Sequence, residues 1–329
     1  MRLAIVGVTG LVGRVMLEVL SERRLPIKEL ILVASETSKG EKITYQNKEY
    51  TIITLFDLIK KNVDVALFSA GSKVSKEWAP KLAEKGCKVI DNSSYWRMDN
   101  RYKLIVPEVN GEAITKNDFI IANPNCSTIP LVMVLNELHK KFTVTRVIVS
   151  TYQSVTGTGK SGIDQLNNEE SNVKKNKKAY PHSIYRNVIP HCDEFDETGY
   201  TKEEMKLTNE TKKILDNNIH VTATAVRVPV VGGHSESVNI TFKKPINLAM
   251  IYNILRGSKG IVVQDDTSKN SYPMPINAEN KDDVFVGRIR KDFTLENAIN
   301  LWICSDNLRK GAATNTIQIA EYIIQNKLL

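Results

Sequence analysis

The chain has 329 residues, 42% hydrophobic and 25% charged, an ordinary globular composition that excludes fibres, disorder and disulfide miniproteins and suffices for one or two domains. Forty-five Lys and Arg against 37 Asp and Glu leave a net charge of +8. This modest excess suits anionic ligands without demanding a nucleic-acid partner, and none is expected.

Residues 3–6 are apolar and β-prone, Gly7-Val-Thr9-Gly10-Leu11-Val12-Gly13 follows, and Leu11, Val12, Val15, Met16, Val19 and Leu20 recur at helical spacing. The reading is strand, glycine turn, helix. The GxxGxxG spacing departs from the commoner GxGxxG, yet glycine gives the same tight turn and lets a pyrophosphate approach a helix N-terminus. Alone, such a triplet marks only a tight turn. Further strand candidates at 30–34, 63–68, 88–90 and 119–122, with helical patterns between several of them, read as a doubly wound parallel sheet, and so as a dinucleotide site. The segment after the second strand, Ser35-Glu36-Thr37-Ser38-Lys39, offers an acid for a ribose hydroxyl and a cation for a 2′-phosphate. NAD and NADP both stay open on this evidence.

From Thr143 the pattern changes. Longer β-rich runs at 144–155, 220–231, 237–242 and 284–289, separated by helical stretches such as 203–215 and 247–255, predict an α+β domain of mainly antiparallel sheet with helices on one face. Residues 167–178 read as an exposed loop whose Lys174, Lys175, Lys177 and Lys178 form a solvated face. After Asp306, the apolar positions Ala313, Ile317, Ala320 and Ile324 predict a last helix. The α/β chain is therefore expected to hold a Rossmann-like dinucleotide-binding domain at 1–125, completed by the C-terminal helix at 307–329, and a catalytic and dimerisation domain at 126–306.

Four cysteines, Cys87, Cys126, Cys192 and Cys304, lie far apart with no CxxC pair, which argues against a zinc ribbon or redox pair and for a reducing compartment. No metal site is expected. With no charged region and apolar signal segment at the start, and only short apolar runs, the expectation is a cytoplasmic chain without a membrane partner. In Asn123-Pro-Asn125-Cys126-Ser127-Thr128-Ile-Pro130, Ser127 or Thr128 suits a cap and Pro130 a first turn, so Cys126 falls at a helix N-terminus. That place favours the thiolate, the form that attacks carbonyls. A lone cysteine is more often a small buried hydrophobe, the reading given to the other three. Of five histidines only His234, in Val230-Val-Gly-Gly-His234-Ser-Glu236, has small neighbours that admit a ligand. A second glycine-bearing loop, Gln153-Ser-Val-Thr156-Gly157-Thr-Gly159, follows a strand.

Together these pieces resemble the bacterial-type aspartate-β-semialdehyde dehydrogenases over essentially the whole chain. The likeness rests on the glycine turn and on Phe68-Ser-Ala-Gly71, Asp91-Asn-Ser-Ser-Tyr95, Val106-Pro-Glu-Val-Asn110, Pro124-Asn-Cys-Ser-Thr128, Ser150-Thr-Tyr-Gln153, Glu204-Met-Lys206, Gly233-His-Ser-Glu-Ser237, Phe285-Val-Gly-Arg-Ile-Arg290 and Ser305-Asp-Asn307. The family reversibly converts L-aspartyl-4-phosphate to L-aspartate-4-semialdehyde and phosphate with NADPH, on the route to lysine, methionine and threonine. The resemblance implies Cys126 as the acyl-accepting nucleophile, His234 as general acid/base and Gln153 as the residue orienting substrate. It implies Arg227 at the substrate carboxylate, a task suited to the planar guanidinium fork, and Glu203 at the substrate ammonium. Arg97 and Lys206, with Asn125 assisting, would hold phosphate. For the cofactor, NADP with NAD still open, it implies Gly7, Thr9, Gly10, Leu11, Val12 and Gly13 at the pyrophosphate, Thr37 and Ser38 at the ribose, Thr156 and Gly157 in the second loop, and Asn307 near the nicotinamide. Relatives often carry arginine where Thr37 stands. A homodimer or homotetramer is expected. The rival readings are a sister acyl-phosphate reductase such as N-acetylglutamyl-phosphate reductase, against which Glu203 speaks because an acetylated amine has no charge, and, more distantly, a dinucleotide-sensing regulator.

Overall fold

The computed structural model describes residues 1–173, 175 and 178–329, so Lys174 and Lys177 of the lysine run lie outside the described residues. The chain divides into two compact units, Met1–Asn125 with Ala312–Leu329, and Cys126–Gly311.

In the first unit, β1 (Arg2–Val6), α1 (Leu11–Arg23) and β2 (Glu29–Val33) are followed by a hairpin, β3 (Lys42–Tyr45) and β4 (Lys48–Thr51), which the sequence pattern did not predict. Then come α2 (Leu55–Leu58), β5 (Val65–Phe68), α3 (Ser72–Ala83), β6 (Lys88–Asp91), β7 (Lys103–Leu104), α4 (Pro107–Asn110) and β8 (Ile120–Ala122). Six strands pair in parallel in the order β2-β1-β5-β6-β8-β7. The near-continuous apolar strands belong to such a sheet because both faces are buried; Leu3, Ile5, Val65, Leu67 and Ile90 share one core with the C-terminal helix. The turn after β1 explains its glycines. Gly7 has φ +92°, and a Cβ there would lie 2.2 Å from the Ser69 carbonyl oxygen, while a Cβ on Gly13 would lie 2.3 Å from the Gly7 oxygen.

The C-terminal helix, Thr314–Gln325, belongs to this unit and buries Ile317, Ala320 and Ile323, one position off the predicted Ile324. Polar bonds pin its first turn to the ends of β6 and β8. The Asn315 amide donates to the Asn123 side-chain oxygen at 2.7 Å, the Asn123 amide to that of Asn92 at 3.0 Å, and the Thr316 hydroxyl to the same Asn92 oxygen at 2.9 Å.

The second unit opens with α5 (Thr128–Phe142) and runs through β9 (Val144–Gln153), α6 (Lys160–Glu170), α7 (Lys202–Ile214), β10 (His220–Arg227), β11 (His234–Phe242), α8 (Leu248–Gly257), β12 (Ile261–Val263), α9 (Pro275–Ala278), β13 (Val284–Lys291) and β14 (Ala298–Ser305). Its sheet, β10-β9-β11-β14-β13-β12, is mixed: three antiparallel central pairings, with a parallel pair at each edge. Alternation puts Val147, Val149, Thr151 and Gln153 of β9 on the buried face together with His234, Glu236 and Val238 of β11.

Two sequence expectations need correction here. The predicted loop 167–178 is helical as far as Glu170, because that polar stretch binds backbone. The Gln165 side-chain oxygen accepts from the amides of Ala179 (2.7 Å) and Tyr180 (2.9 Å), and Glu169 accepts from those of Ile184 (2.8 Å) and Tyr185 (2.9 Å). Residues 307–311 group with the second unit and not with the last helix. The Asp306 carboxylate accepts from the amides of Asn280 and Leu308, both at 2.8 Å, and the Arg309 side chain donates to Asp282 at 2.8 Å.

Candidate active site

Cys126 directly precedes Ser127, the cap residue of α5. Ser127 occupies the cap position, but its side chain makes no capping bond; it accepts from the Gln153 amide at 3.2 Å. Gln153, the last residue of β9, also donates to Glu203 at 3.2 Å. Glu203 stands in the first turn of α7, which Thr201 and Glu204 start with a reciprocal capping box. Lys206, one turn on, donates to Glu203 at 3.0 Å and to Asp193 at 2.7 Å. Burial works against the Lys206 ammonium, but the two carboxylates outweigh it and hold its pKa above the ordinary lysine value.

Beside Gln153, the parallel register of β10 places Arg227. Its guanidinium donates through Nη1 to the Ser154 carbonyl at 2.7 Å, the Tyr180 ring lies 5.9 Å away, and Nε is buried with no hydrogen-bond partner among the described residues. His234, at the start of β11, accepts the Ser154 amide on Nδ1 at 3.1 Å. Burial and then the Arg227 charge, opposed by Glu203, push its pKa down to about 3. Gly157 packs against both side chains, and the Thr156 hydroxyl donates to Asn307 at 2.9 Å. The second unit thus gathers Cys126, Gln153, Glu203, Lys206, Arg227, His234, Thr156, Gly157 and Asn307 into one chain of neighbours. Tyr180, Ser154 and Asp193 were not singled out by sequence reasoning. They contribute a ring face, a backbone group and a carboxylate, none with a local motif.

In the first unit, Arg97 is buried and donates to the Asn92 carbonyl at 2.7 Å; Asn125, also buried, ends the first of that unit's two segments. The N-terminus of α1 fits a dinucleotide pyrophosphate, since Gly10 makes no side-chain cap and no acid stands in the first turn, leaving backbone N–H groups for an anion. Thr37 and Ser38 lie in a turn, Glu36–Ser38, just after β2. Lys39 pairs with Asp57 at 2.9 Å.

Residues 2–117 match the family model described as "Semialdehyde dehydrogenase, NAD binding domain", and 135–310 match "Semialdehyde dehydrogenase, dimerisation domain". The aspartate-semialdehyde dehydrogenase of Aquifex aeolicus is 50% identical over 337 residues, covering 100% of this chain and 99% of that protein. The chain belongs to the aspartate-semialdehyde dehydrogenase family. It is an oxidoreductase with an NAD(P)-binding domain. A crystal structure of aspartate semialdehyde dehydrogenase II from Vibrio cholerae complexed with ASA is 42% identical, with a TM-score of 0.94 over 99% of this chain and 98% of that one. The Candida albicans dehydrogenase with NADP, 24% identical over 100% of this chain and 99% of that one at a TM-score of 0.78, shares the fold. The first unit carries the glycine turn and the second the cysteine and histidine. Among the described residues no helix is long and apolar enough to cross a membrane.

One buried group stands apart from these assignments. Glu236, two residues beyond His234 on the same strand face, is 1% exposed, and neither carboxylate oxygen has a hydrogen-bond partner among the described residues. Burial pushes its pKa well above the usual carboxylate range. The unfolded chain ionises this group above a pH of about 4.3 while the folded chain still holds its proton, so stability is lost as pH rises from there toward the folded pKa. Glu236→Gln keeps the shape without the titration. Its stability relative to the parent is expected to grow with pH by up to about 1.4 kcal/mol per unit, measured by urea unfolding between pH 5 and 8. A pH-independent difference would show that the carboxyl is ionised in the fold.

Proposed function

We propose that the chain catalyses the NADP-dependent, reversible reductive dephosphorylation of L-aspartyl-4-phosphate to L-aspartate-4-semialdehyde and phosphate through a Cys126 thioacyl intermediate, in the cytoplasmic synthesis of lysine, methionine and threonine. The observation that carries this reading is Arg227. With Nη1 held by Ser154 and Nε buried and unmatched, its remaining edge suits a carboxylate, and it lies beside the histidine.

In the oxidative direction the Cys126 thiolate adds to the aldehyde carbon, the carbonyl becomes an oxyanion, and loss of hydride leaves the thioester. The bound dinucleotide supplies the hydride acceptor. A phosphate oxygen then attacks the thioester and the thiolate leaves. Gln153 orients the substrate, Glu203 meets its ammonium, and His234 handles the proton or charge of the reacting oxygen. Arg97, Lys206 and Asn125 are proposed for phosphate. Gly7, Thr9, Gly10, Leu11, Val12 and Gly13 would hold the pyrophosphate, Thr37 and Ser38 the ribose, Thr156 and Gly157 would meet the cofactor from the second loop, and Asn307 would lie near the nicotinamide. The dinucleotide-binding role is assigned to the first unit, with its last helix, and the catalytic and dimerisation roles to the second. A homodimer or homotetramer is supported by the outer face of the second sheet, where the Tyr152 and Trp302 rings lie 5.3 Å apart, tilted by 40°, beside a cavity of about 410 Å³ that Trp302 and Met274 line.

The test is reduction of NADP and, separately, NAD with L-aspartate-4-semialdehyde, with and without phosphate. Phosphate-dependent reduction with NADP preferred is expected. A folded sample inactive with both cofactors would move the assignment to a sister acyl-phosphate reductase. A preference for NAD would place Glu36, and not Thr37 and Ser38, at the ribose.

A further inference from the structure

The turn that follows β14, Asp306–Gly311, brings Gly311 directly against Cys126. A Cβ on Gly311 would lie 3.0 Å from the Cys126 Cβ, 3.2 Å from its carbonyl oxygen and 3.3 Å from its Cα. Gly311 does not occupy the left-handed region, so its backbone would accept alanine and only room is lacking. Two of the three crowding atoms are backbone. A new rotamer of the cysteine therefore does not relieve the contact, and the start of α5 has to move by a few tenths of an ångström.

The turn itself is braced. The Gly311 amide donates to the Asp306 carbonyl at 3.0 Å. The Asp306 carboxylate accepts the amides of Asn280 and Leu308 at 2.8 Å and that of Arg309 at 3.0 Å, and the side chains of Asn307, Arg309 and Lys310 are buried. From Arg309 to Ala313 the backbone forms one π turn, a form that recurs at functional sites. The same braced turn carries Asn307, whose side-chain oxygen accepts the Thr156 hydroxyl at 2.9 Å.

We propose that the Asp306–Gly311 turn positions the nucleophile against the cofactor: Gly311 fixes Cys126, Asn307 stands on the nicotinamide side, and the short backbone between them keeps the two in register. This rests on the reaction proposed above, including the place assigned there to Asn307. Gly311 and Asp306 act through Cys126 and Asn307 and are positioning residues. Once the Cys126 sulfur has bonded to the aldehyde carbon, that carbon gives up its hydrogen with the bonding pair to the oxidised dinucleotide, while an oxygen pair re-forms the carbonyl of the thioester. Reacting atoms must approach to about 3–3.5 Å, so a small displacement of the sulfur is felt in this step. In phosphorolysis a phosphate oxygen bonds to the thioester carbon and the carbon–sulfur pair returns to sulfur, a step in which Asn307 has no part.

The full chain carrying ¹³Cβ-cysteine gives a reading that needs no cofactor. The resonance missing from Cys126→Ala should move in Gly311→Ala and stay in place in Gly257→Ala, where a Cβ at the end of α8 meets nothing within 4 Å. An unmoved resonance in Gly311→Ala overturns the contact. Kinetics read its consequence. Misplacement near 1 Å costs about 10²-fold, so for a few tenths the burst of reduced dinucleotide on mixing with L-aspartate-4-semialdehyde, phosphate omitted, should slow roughly ten-fold. With semialdehyde deuterated at the aldehyde carbon, the isotope effect should be fully expressed in kcat, while KM for phosphate stays near the parent value. Asp306→Asn, which removes an acceptor from the turn but leaves Gly311 its space, should give the same isotope signature with a smaller loss, and it carries the test if Gly311→Ala does not fold. An unchanged burst rate, or a loss that falls on phosphorolysis alone, overturns the proposal. Absence of phosphate-dependent turnover in the parent enzyme would instead overturn the proposed reaction, leaving the contact to the resonance.

Discussion

Cys126→Ala is expected to lower phosphate-dependent turnover on the order of 10⁴–10⁶-fold, the scale seen when a covalent nucleophile is removed. The side chain is partly exposed just ahead of α5, whereas Cys87, Cys192 and Cys304 are buried. Burial pushes those three thiols up to about 12, so at neutral pH they are neither nucleophilic nor readily alkylated. Iodoacetamide should therefore label one cysteine of the native parent, with loss of activity, and none in Cys126→Ala. Dinucleotide affinity, measured by calorimetry, should be nearly unchanged, because the residues assigned to the pyrophosphate lie in the first unit. Residual activity near the parent level, or labelling of another thiol that tracks inactivation, would sink the covalent mechanism.

Gly157→Ala should cost on the order of 10²-fold in kcat/KM, the scale of a misplacement near 1 Å among groups that must align. Its backbone does not occupy the left-handed region, so alanine meets no conformational strain. The obstacle is steric: a Cβ there would lie 2.7 Å from Nη1 of Arg227 and 3.2 Å from Nε2 of His234. Neither side chain retreats freely, since Arg227 is held by Ser154 and flanked by Tyr180, and His234 by the Ser154 amide. Both kcat and KM should change while circular dichroism stays near that of the parent. An unchanged kcat/KM would mean that neither Arg227 nor His234 takes part in the reaction as placed here.

Much of this enzyme is governed by local chemistry. A strand of Leu3 to Val6 followed by three glycines at spacing of three, a cysteine flanked by Asn125 and Ser127 ahead of an apolar helix, and a histidine behind two glycines are each readable because backbone sterics and helix-end electrostatics act over a few residues. The expected loop at 167–178 failed for the opposite reason. Its polar residues looked solvated, yet Glu169 within it and Gln165 just before it bind amides 14 to 16 positions away, and composition does not encode such partners.

The sequence by itself determined the parallel first sheet and the change to mainly antiparallel pairing beyond Thr143, and it singled out the candidate cysteine and histidine, while the arginine came from the family resemblance. The tertiary structure alone decided that Nδ1 of His234 meets the Ser154 amide, why Gly157 has no side chain, and that Glu236 is buried without a hydrogen-bond partner among the described residues. Those facts depend on strands 70 to 80 residues apart lying in register, as when the Ser154 amide meets His234. Register is set by the packing of the whole buried face, and no short stretch of chain contains it.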